Sequence, residues 1–395
     1  MKIGLFTDTY YPQVNGVATS VLMHKQYLEM LGHRVFVFTT TDPKAIMPEL
    51  GVFRISSIPF ASTRRIGTFF HPKVTKMIRR LELDVIHTHT EFSLGIMGRS
   101  LAKELKIPFV HTYHTIYENY THYIIKFGLL EPVAKKLART ISTRFCNSAD
   151  QVIVPTEKVR ELLLSYCVNK DIAVIPTGIN ADRFSKSNCC PAALMELRAS
   201  LGIGASDKLL LYIGRISREK NIDLLLRYVQ RYLQSKEHVK LLLVGDGPER
   251  RKLEEAVEEG GMADRILFAG EVPWDRIAMY YQLGDLFVSA SQSETQGITY
   301  TEALASGLPV VAKADPCLDG VIRNDCNGFM FHEQADFIQR IDSVLHERQL
   351  RERLSAEAVR SVSELTGIRF AKSIEALYTQ TLIQTPVPLH TEKLS

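Results

Sequence analysis

Arg215 and Lys220, in the segment YIGRISREKN, follow an apolar run that ends at Gly214 and precede a segment with helical patterning from about Asn221. Two cations at the mouth of a helix, joined by its free N–H groups and the positive end of its dipole, would hold a diphosphate. Read alone, they equally suit two solvated surface cations. A second apolar run ends in VGDGP, where Gly245 and Gly247 permit close backbone approach or simply a tight turn. In SETQGITYTEALASG, Glu294 and Glu302 flank Gly297 with seven residues between them. If a helix starts near Gly297, its N–H groups face a phosphate and Glu302 sits about one turn inside. Carboxylates accept sugar and ribose hydroxyls, so one Glu per sugar ring suits a nucleotide sugar, although two glutamates on a helical surface are commonplace.

The N-terminal half adds IHTHTEFSLG and VHTYHTIYENYTHYI, rich in His and Tyr. These histidines show no helical His-x-x-x-His face and no accompanying Cys, which argues against zinc. Tyr113, Tyr117, Glu118 and His122 are weaker site candidates, with aromatic packing as the alternative. No Gly-x-Gly-x-x-Gly follows an apolar run, and Gly-x-x-x-x-Gly-Lys-Ser/Thr and Gly-x-Ser-x-Gly are absent. A dehydrogenase, a P-loop ATPase and a serine hydrolase are therefore disfavoured. The first loop offers only Gly16. No Asp-x-Asp occurs, so no metal is expected at the diphosphate.

These residues need a scaffold that presents strand ends. KIGLFTD, RVFVFTT, DVIHTH, PFVHTY, VIVPT and IAVIPTG read as buried strands alternating with helical segments, the pattern of a doubly wound parallel sheet. KLLLYIG, KLLLVGDGP, RILFAG, LFVSAS and LPVVAK repeat it after a polar stretch, Ala181 to Asp207, that reads as a linker. The expected α/β architecture is two Rossmann-like domains facing a cleft, 1–190 and 191–369, then 370–395 with a helix from Phe370 to Ile383 and a tail. The 395 residues, 45% hydrophobic and 23% charged, fit two folded domains. No apolar run approaches the roughly 18 residues that cross a bilayer, and no leader pattern is visible. Six cysteines without Cys-x-x-Cys spacing read as reduced thiols in a cytosol.

The net charge of +4 hides a split. Residues 1–180 carry 22 Lys and Arg against 14 Asp and Glu, and the remainder 26 against 30. The run STRRIGTFFHPKVTKMIRR sets Arg64, Arg65, Lys73, Lys76, Arg79 and Arg80 beside Phe69, Phe70, Val74, Met77 and Ile78. Val74, Met77 and Ile78 share one helical face, so this is either an interfacial helix for anionic lipid or a crossover helix packed on its sheet. The same reasoning covers Lys126, Lys135, Lys136, Arg139 and Arg144. No nucleic-acid module is recognisable.

The Arg and Lys loop combined with the paired Glu resembles family 4 of the retaining GT-B glycosyltransferases, over nearly the whole chain. The resemblance implies that Arg215 and Lys220 hold a donor diphosphate. It further implies that Glu294, with the backbone at Gly297 and Ile298, contacts the donor sugar, and that Glu302 binds the ribose. The family often has Gly-Gly in its first loop. Here Asn15, Gly16 and Val17 stand there, so a phosphate contact carries over only to Gly16. The His and Tyr tract is similar to the branch of the family that glucosylates diacylglycerol in bacteria, which makes His114 a catalytic His lining the donor-sugar pocket. The implied partners are UDP-glucose, with no metal cofactor, a lipid acceptor and an anionic membrane surface, the protein being cytoplasmic and peripheral on the inner face of the cell membrane. The resemblance also returns the C-terminal helix to the N-terminal domain. A same-family enzyme with a soluble or polysaccharide acceptor and a non-catalytic nucleotide-binding protein are the alternatives.

Overall fold

A computed structural model describes residues 1–45, 47–60, 64–67, 72–121 and 130–384. The chain divides into two compact units: Met1–Gly178 together with the helix Gly367–Gln384, and Ile179–Thr366.

In the first unit the strands are β1 (Lys2–Phe6), β2 (Arg34–Thr40), β3 (Val52–Ile55), β4 (Ser57–Phe60), β5 (Arg64–Gly67), β6 (Val85–Thr88), β7 (Phe109–Thr112), β8 (Gln151–Val154) and β9 (Ile172–Val174). Seven of them form a parallel sheet in the order β3-β2-β1-β6-β7-β8-β9, and β4 and β5 form a separate antiparallel pair. Apolar runs with no alternation need cover on both faces, which crossover helices supply. Ile3, Leu5 and Phe6 of β1 are completely buried. The helix Gly16–Met30 starts at Asn15, whose side chain caps it by accepting from the Ala18 N–H. The helix Gly367–Gln384 packs against it, with Phe370 edge-on to His24.

The second unit holds β10 (Lys208–Ile213), β11 (Val239–Val244), β12 (Ile266–Gly270), β13 (Leu286–Ser289), β14 (Val310–Lys313) and β15 (Gly328–Phe331), all parallel, in the order β12-β11-β10-β13-β14-β15. Leu209, Leu211 and Ile213 of β10 enter one apolar cluster, and Leu210 and Tyr212 enter another, so both faces of the sheet are covered.

The polar stretch after Ala181 is not a linker. It forms the helices Ala181–Phe184 and Pro191–Ser200. Ile179, Phe184 and Ile203 are buried in the core of the second unit, with Leu194, Leu197 and Leu201 packed on it. A few anchors three or four residues apart suffice to dock a short helix. The unit therefore begins at Ile179, twelve residues before the expected boundary at 191. Strands β3, β4, β5 and β15 were also absent from the sequence reading.

In each sheet the strand order reverses once, between β1 and β6 and between β10 and β13. Ligands of open parallel sheets gather beyond the carboxyl ends of such strands.

Candidate functional site

At the reversal in the second unit, β10 runs out through Gly214 and Arg215 into a single turn, Arg218–Lys220. Asn221, left-handed at φ 51°, then starts the helix Ile222–Leu233. The Asn221 side chain donates to the Ala290 carbonyl at 3.3 Å, tying this loop to the one after β13. The loop ending β11 packs backbone to backbone on the first: a Cβ on Gly245 would lie 1.9 Å from the Gly214 carbonyl oxygen. Gly245 therefore acts here by close approach rather than merely in a turn.

The loop after β13 carries Glu294. Lys220 Nζ donates to Glu294 Oε1 at 2.7 Å, with 15% and 17% of the two side chains exposed. Arg215 is half-buried five residues upstream of Lys220. Gly297, at φ 73°, turns the chain into the helix Ile298–Ala305, where a Cβ would meet the Tyr300 ring at 2.4 Å and Glu294 Cγ at 3.6 Å. The first N–H groups of that helix, beginning at Ile298, lack intrahelical acceptors. Lys220, Glu294 and Gly297 thus meet at one strand-end cradle.

Glu302 lies inside the same helix and is buried. Its Oε2 accepts from the Tyr281 hydroxyl at 2.7 Å, and among the described residues Oε1 has no donor. Burial pushes the carboxyl up to about 7, against the opposing pull of the Tyr281 hydroxyl and Arg183. Tyr281 and Arg183, the latter stacked on Trp274 with its guanidinium carbon 3.2 Å from the ring centroid, were missed in the sequence. Only their placement beside Glu302 reveals them.

In the first unit Gly16 opens the helix Gly16–Met30 beyond the end of β1. Asp8, just past β1, accepts from Thr90 Oγ1 at 2.7 Å, from the Ser93 hydroxyl and from the Leu94 N–H at 3.2 Å, which ties β1 to the end of β6. His89 Nδ1 lies 3.0 Å from His114 Nε2. His24, His87 and His89 are buried together, with candidate ligand nitrogens within 4.8 Å of one another. His87 is already engaged on both sides, by Tyr378 Oη at 2.6 Å and Thr112 Oγ1 at 2.7 Å. His24 Nε2 and His89 Nε2 are buried and, among the described residues, have no hydrogen-bond partner. A cation here would have to displace one of the hydroxyls from His87, so the group reads as packed imidazoles. Burial lowers His24 to about 4 and His87 and His89 well below their ordinary 6.5. The half-buried His114 is lowered in the same direction. His24 lies more than 60 residues before His87, and nothing in the sequence joins them.

Glu118 forms an ion pair with Arg139, and the Tyr117 hydroxyl donates to Glu91. Tyr113 is buried in the core. His122, Lys126, Phe69 and Phe70 fall outside the described residues, as do the side chains of Arg64 and Lys73. In the helix Pro72–Leu81, Ile78 is buried and Val74 and Met77 pack on the core, so its apolar face is a crossover face. Arg65 donates from Nε to Ser57 Oγ at 2.8 Å and from Nη2 to the Ser57 carbonyl at 2.8 Å. Arg79 pairs with Glu104, while Lys76 and Arg80 are exposed.

Residues 14–183 match the family described as Glycosyltransferase Family 4, and residues 195–360 match Glycosyl transferases group 1. The alpha-monoglucosyldiacylglycerol synthase of Streptococcus pneumoniae is 40% identical over 387 residues, covering 97% of this chain and 86% of that one. Its namesake from Acholeplasma laidlawii is 34% identical over 385 residues, 96% of each chain. Among solved structures, Anabaena HepE in complex with UDP-glucose aligns with a TM-score of 0.75 at 19% identity, over 96% of this chain and 100% of that one. Among the described residues no helix is long and apolar enough to cross a membrane.

Proposed function

The chain belongs to family 4 of the GT-B glycosyltransferases and is a hexosyltransferase; from that premise we propose that it moves glucose from UDP-glucose to 1,2-diacylglycerol with retention of anomeric configuration. The 40% identity to a monoglucosyldiacylglycerol synthase supports this choice of sugar and acceptor. The observation that carries the site is the Lys220–Glu294 ion pair between the loops after β10 and β13.

The donor exchanges that pair for its own contacts. Its diphosphate takes Lys220, together with Arg215 and the N–H groups at the start of the helix Ile298–Ala305. Glu294 is released to accept from sugar hydroxyls. As the glycosidic bond breaks, negative charge builds on the departing diphosphate, and these donors are already in position to stabilise it. Glu302 Oε1 accepts a ribose hydroxyl, while Tyr281 holds Oε2 and fixes the carboxylate plane. Gly16 carries a phosphate contact and His114 lines the sugar pocket. The acceptor hydroxyl attacks the anomeric carbon from the face the diphosphate leaves, and the diphosphate takes its proton. The cationic side chains supply the charge neutralisation, so no divalent ion is required. The enzyme works as a peripheral protein on the cytoplasmic face of the cell membrane.

The test supplies purified protein with several nucleotide sugars and 1,2-diacylglycerol in mixed micelles containing chelator. The expected product is an α-glucosyl diacylglycerol formed from UDP-glucose. Transfer only to a soluble acceptor, or an absolute need for added metal, would overturn the corresponding part of the reading.

A further inference from the structure

The helix Glu131–Asn147 has two faces of different character. Ser142, Phe145 and Cys146 are buried against the first unit. The opposite face carries Val133, Leu137 and Ile141 at four-residue spacing, 64%, 59% and 49% exposed, with Leu130, 52% exposed, at its start. Residues four apart stack along one side of a helix, so these side chains form a continuous apolar stripe in water. Lys136 and Arg144, both exposed, lie on or beside that stripe and have no acidic partner among the described residues. The other two cations of the helix are occupied, Lys135 by Glu131 at 2.8 Å and Arg139 by Glu118.

The helix Pro72–Leu81 is built the other way round: it turns Val74, Met77, Ile78 and Leu81 to the core and leaves Lys76, Arg79 and Arg80 exposed. Those cations can attract an anionic surface, but among the described residues that helix exposes no apolar stripe to insert.

We propose that the helix Glu131–Asn147 is the element that enters an anionic bilayer, with Val133, Leu137 and Ile141 among the acyl chains and Lys136 and Arg144 at the headgroups. This rests on the diacylglycerol reading and names the surface from which that acceptor is taken. The occupant follows from charge: residues 1–180 carry eight more cations than anions, and the stripe is edged by the exposed cations Lys136 and Arg144, which suits a layer that is apolar inside and negative at its face.

The test is co-sedimentation with vesicles of phosphatidylglycerol and phosphatidylcholine, compared with transfer to short-chain diacylglycerol dispersed in detergent. Replacing Val133, Leu137 and Ile141 together by Ser removes three exposed side chains and disturbs no core. Partitioning is expected to fall by about a hundredfold, and turnover on vesicles relative to dispersed acceptor should fall with it. In a second variant, Leu137→Trp, added phosphatidylglycerol vesicles should shift the emission to the blue. Wild-type sedimentation of the triple variant, or an unshifted Leu137→Trp spectrum, overturns the proposal. So does a wild-type dimer that the triple variant converts to monomer, because the stripe would then belong to a second copy. The acceptor reading fails separately, if wild-type protein transfers nothing to the dispersed lipid; sedimentation judges the docking helix in either case.

Discussion

The first unit buries a cluster of histidines, and the second buries the carboxyl of Glu302. Beside β6 the first unit packs His24, His87 and His89 against one another with His114 at the edge, and burial keeps these rings unprotonated. Beyond β13 the second unit buries Glu302, and burial there keeps a proton on. The physics is the same, since a low dielectric disfavours whichever form is charged. The neutral imidazole has lost a proton and the neutral carboxyl has kept one, so these two sites respond to pH with opposite sign. Lys220 and Glu294, by contrast, lie within hydrogen-bond distance of each other as an ion pair.

The largest expected effect separates chemistry from packing. Lys220→Ala or Glu294→Gln should lower transfer by about two orders of magnitude or more, as loss of a charge-stabilising contact costs about 3 kcal/mol. Hydrogen-exchange protection of the imidazole cluster should be unaltered. Steady-state kinetics with UDP-glucose checks this, and wild-type rates in either variant would remove the pair from the site.

The opposed pH dependence can be measured directly. Folded His24 is protonated only near 4 and the unfolded ring near 6.5. Its contribution to stability is therefore complete above 6.5 and lost as pH falls through 4. Folded Glu302 holds its proton up to about 7 and the unfolded carboxyl releases it near 4.5, so that contribution is complete below 4.5 and lost as pH rises through 7. Each interval is worth about 3 kcal/mol at most. Asp8, raised by burial, follows the sign of Glu302 within the first unit and reduces the net effect there. Hydrogen exchange corrected for intrinsic rates should show the helix Gly16–Met30 losing protection from pH 7.5 to 5.5 while the helix Ile298–Ala305 does not. Parallel loss in both units would break the comparison.

A smaller effect sharpens it at one residue. Glu302 accepts ribose hydroxyls best as the carboxylate, so donor KM should fall as pH rises through about 7. Glu302→Gln should raise KM roughly tenfold at pH 8 and flatten that dependence. An unchanged profile would mean that another group titrates.

Much of the fold was legible because apolar runs record their own burial. KLLLYIG and KLLLVGDGP read as strands because each is a short apolar run stopped by glycine, and Arg215, Lys220, Glu294 and Gly297 could be assigned to strand ends from the runs before them. GFMF, which becomes β15, is too short and glycine-led to declare itself. Residues 181–207 concealed two helices because a handful of leucines anchors them. Chain-local spacing determined which segments could be strands, which could be helices, and which residues must stand at their ends, because backbone hydrogen bonding and side-chain periodicity are set by near neighbours. Only the tertiary structure decided that Lys220 meets Glu294, 74 positions away, that Tyr281 holds Glu302, and that His24 joins His87 and His89. It also decided which of two basic helices turns its apolar side to water. Burial is a property of what lies opposite in space, and an amphipathic segment reads the same whether its apolar face meets a sheet or the solvent.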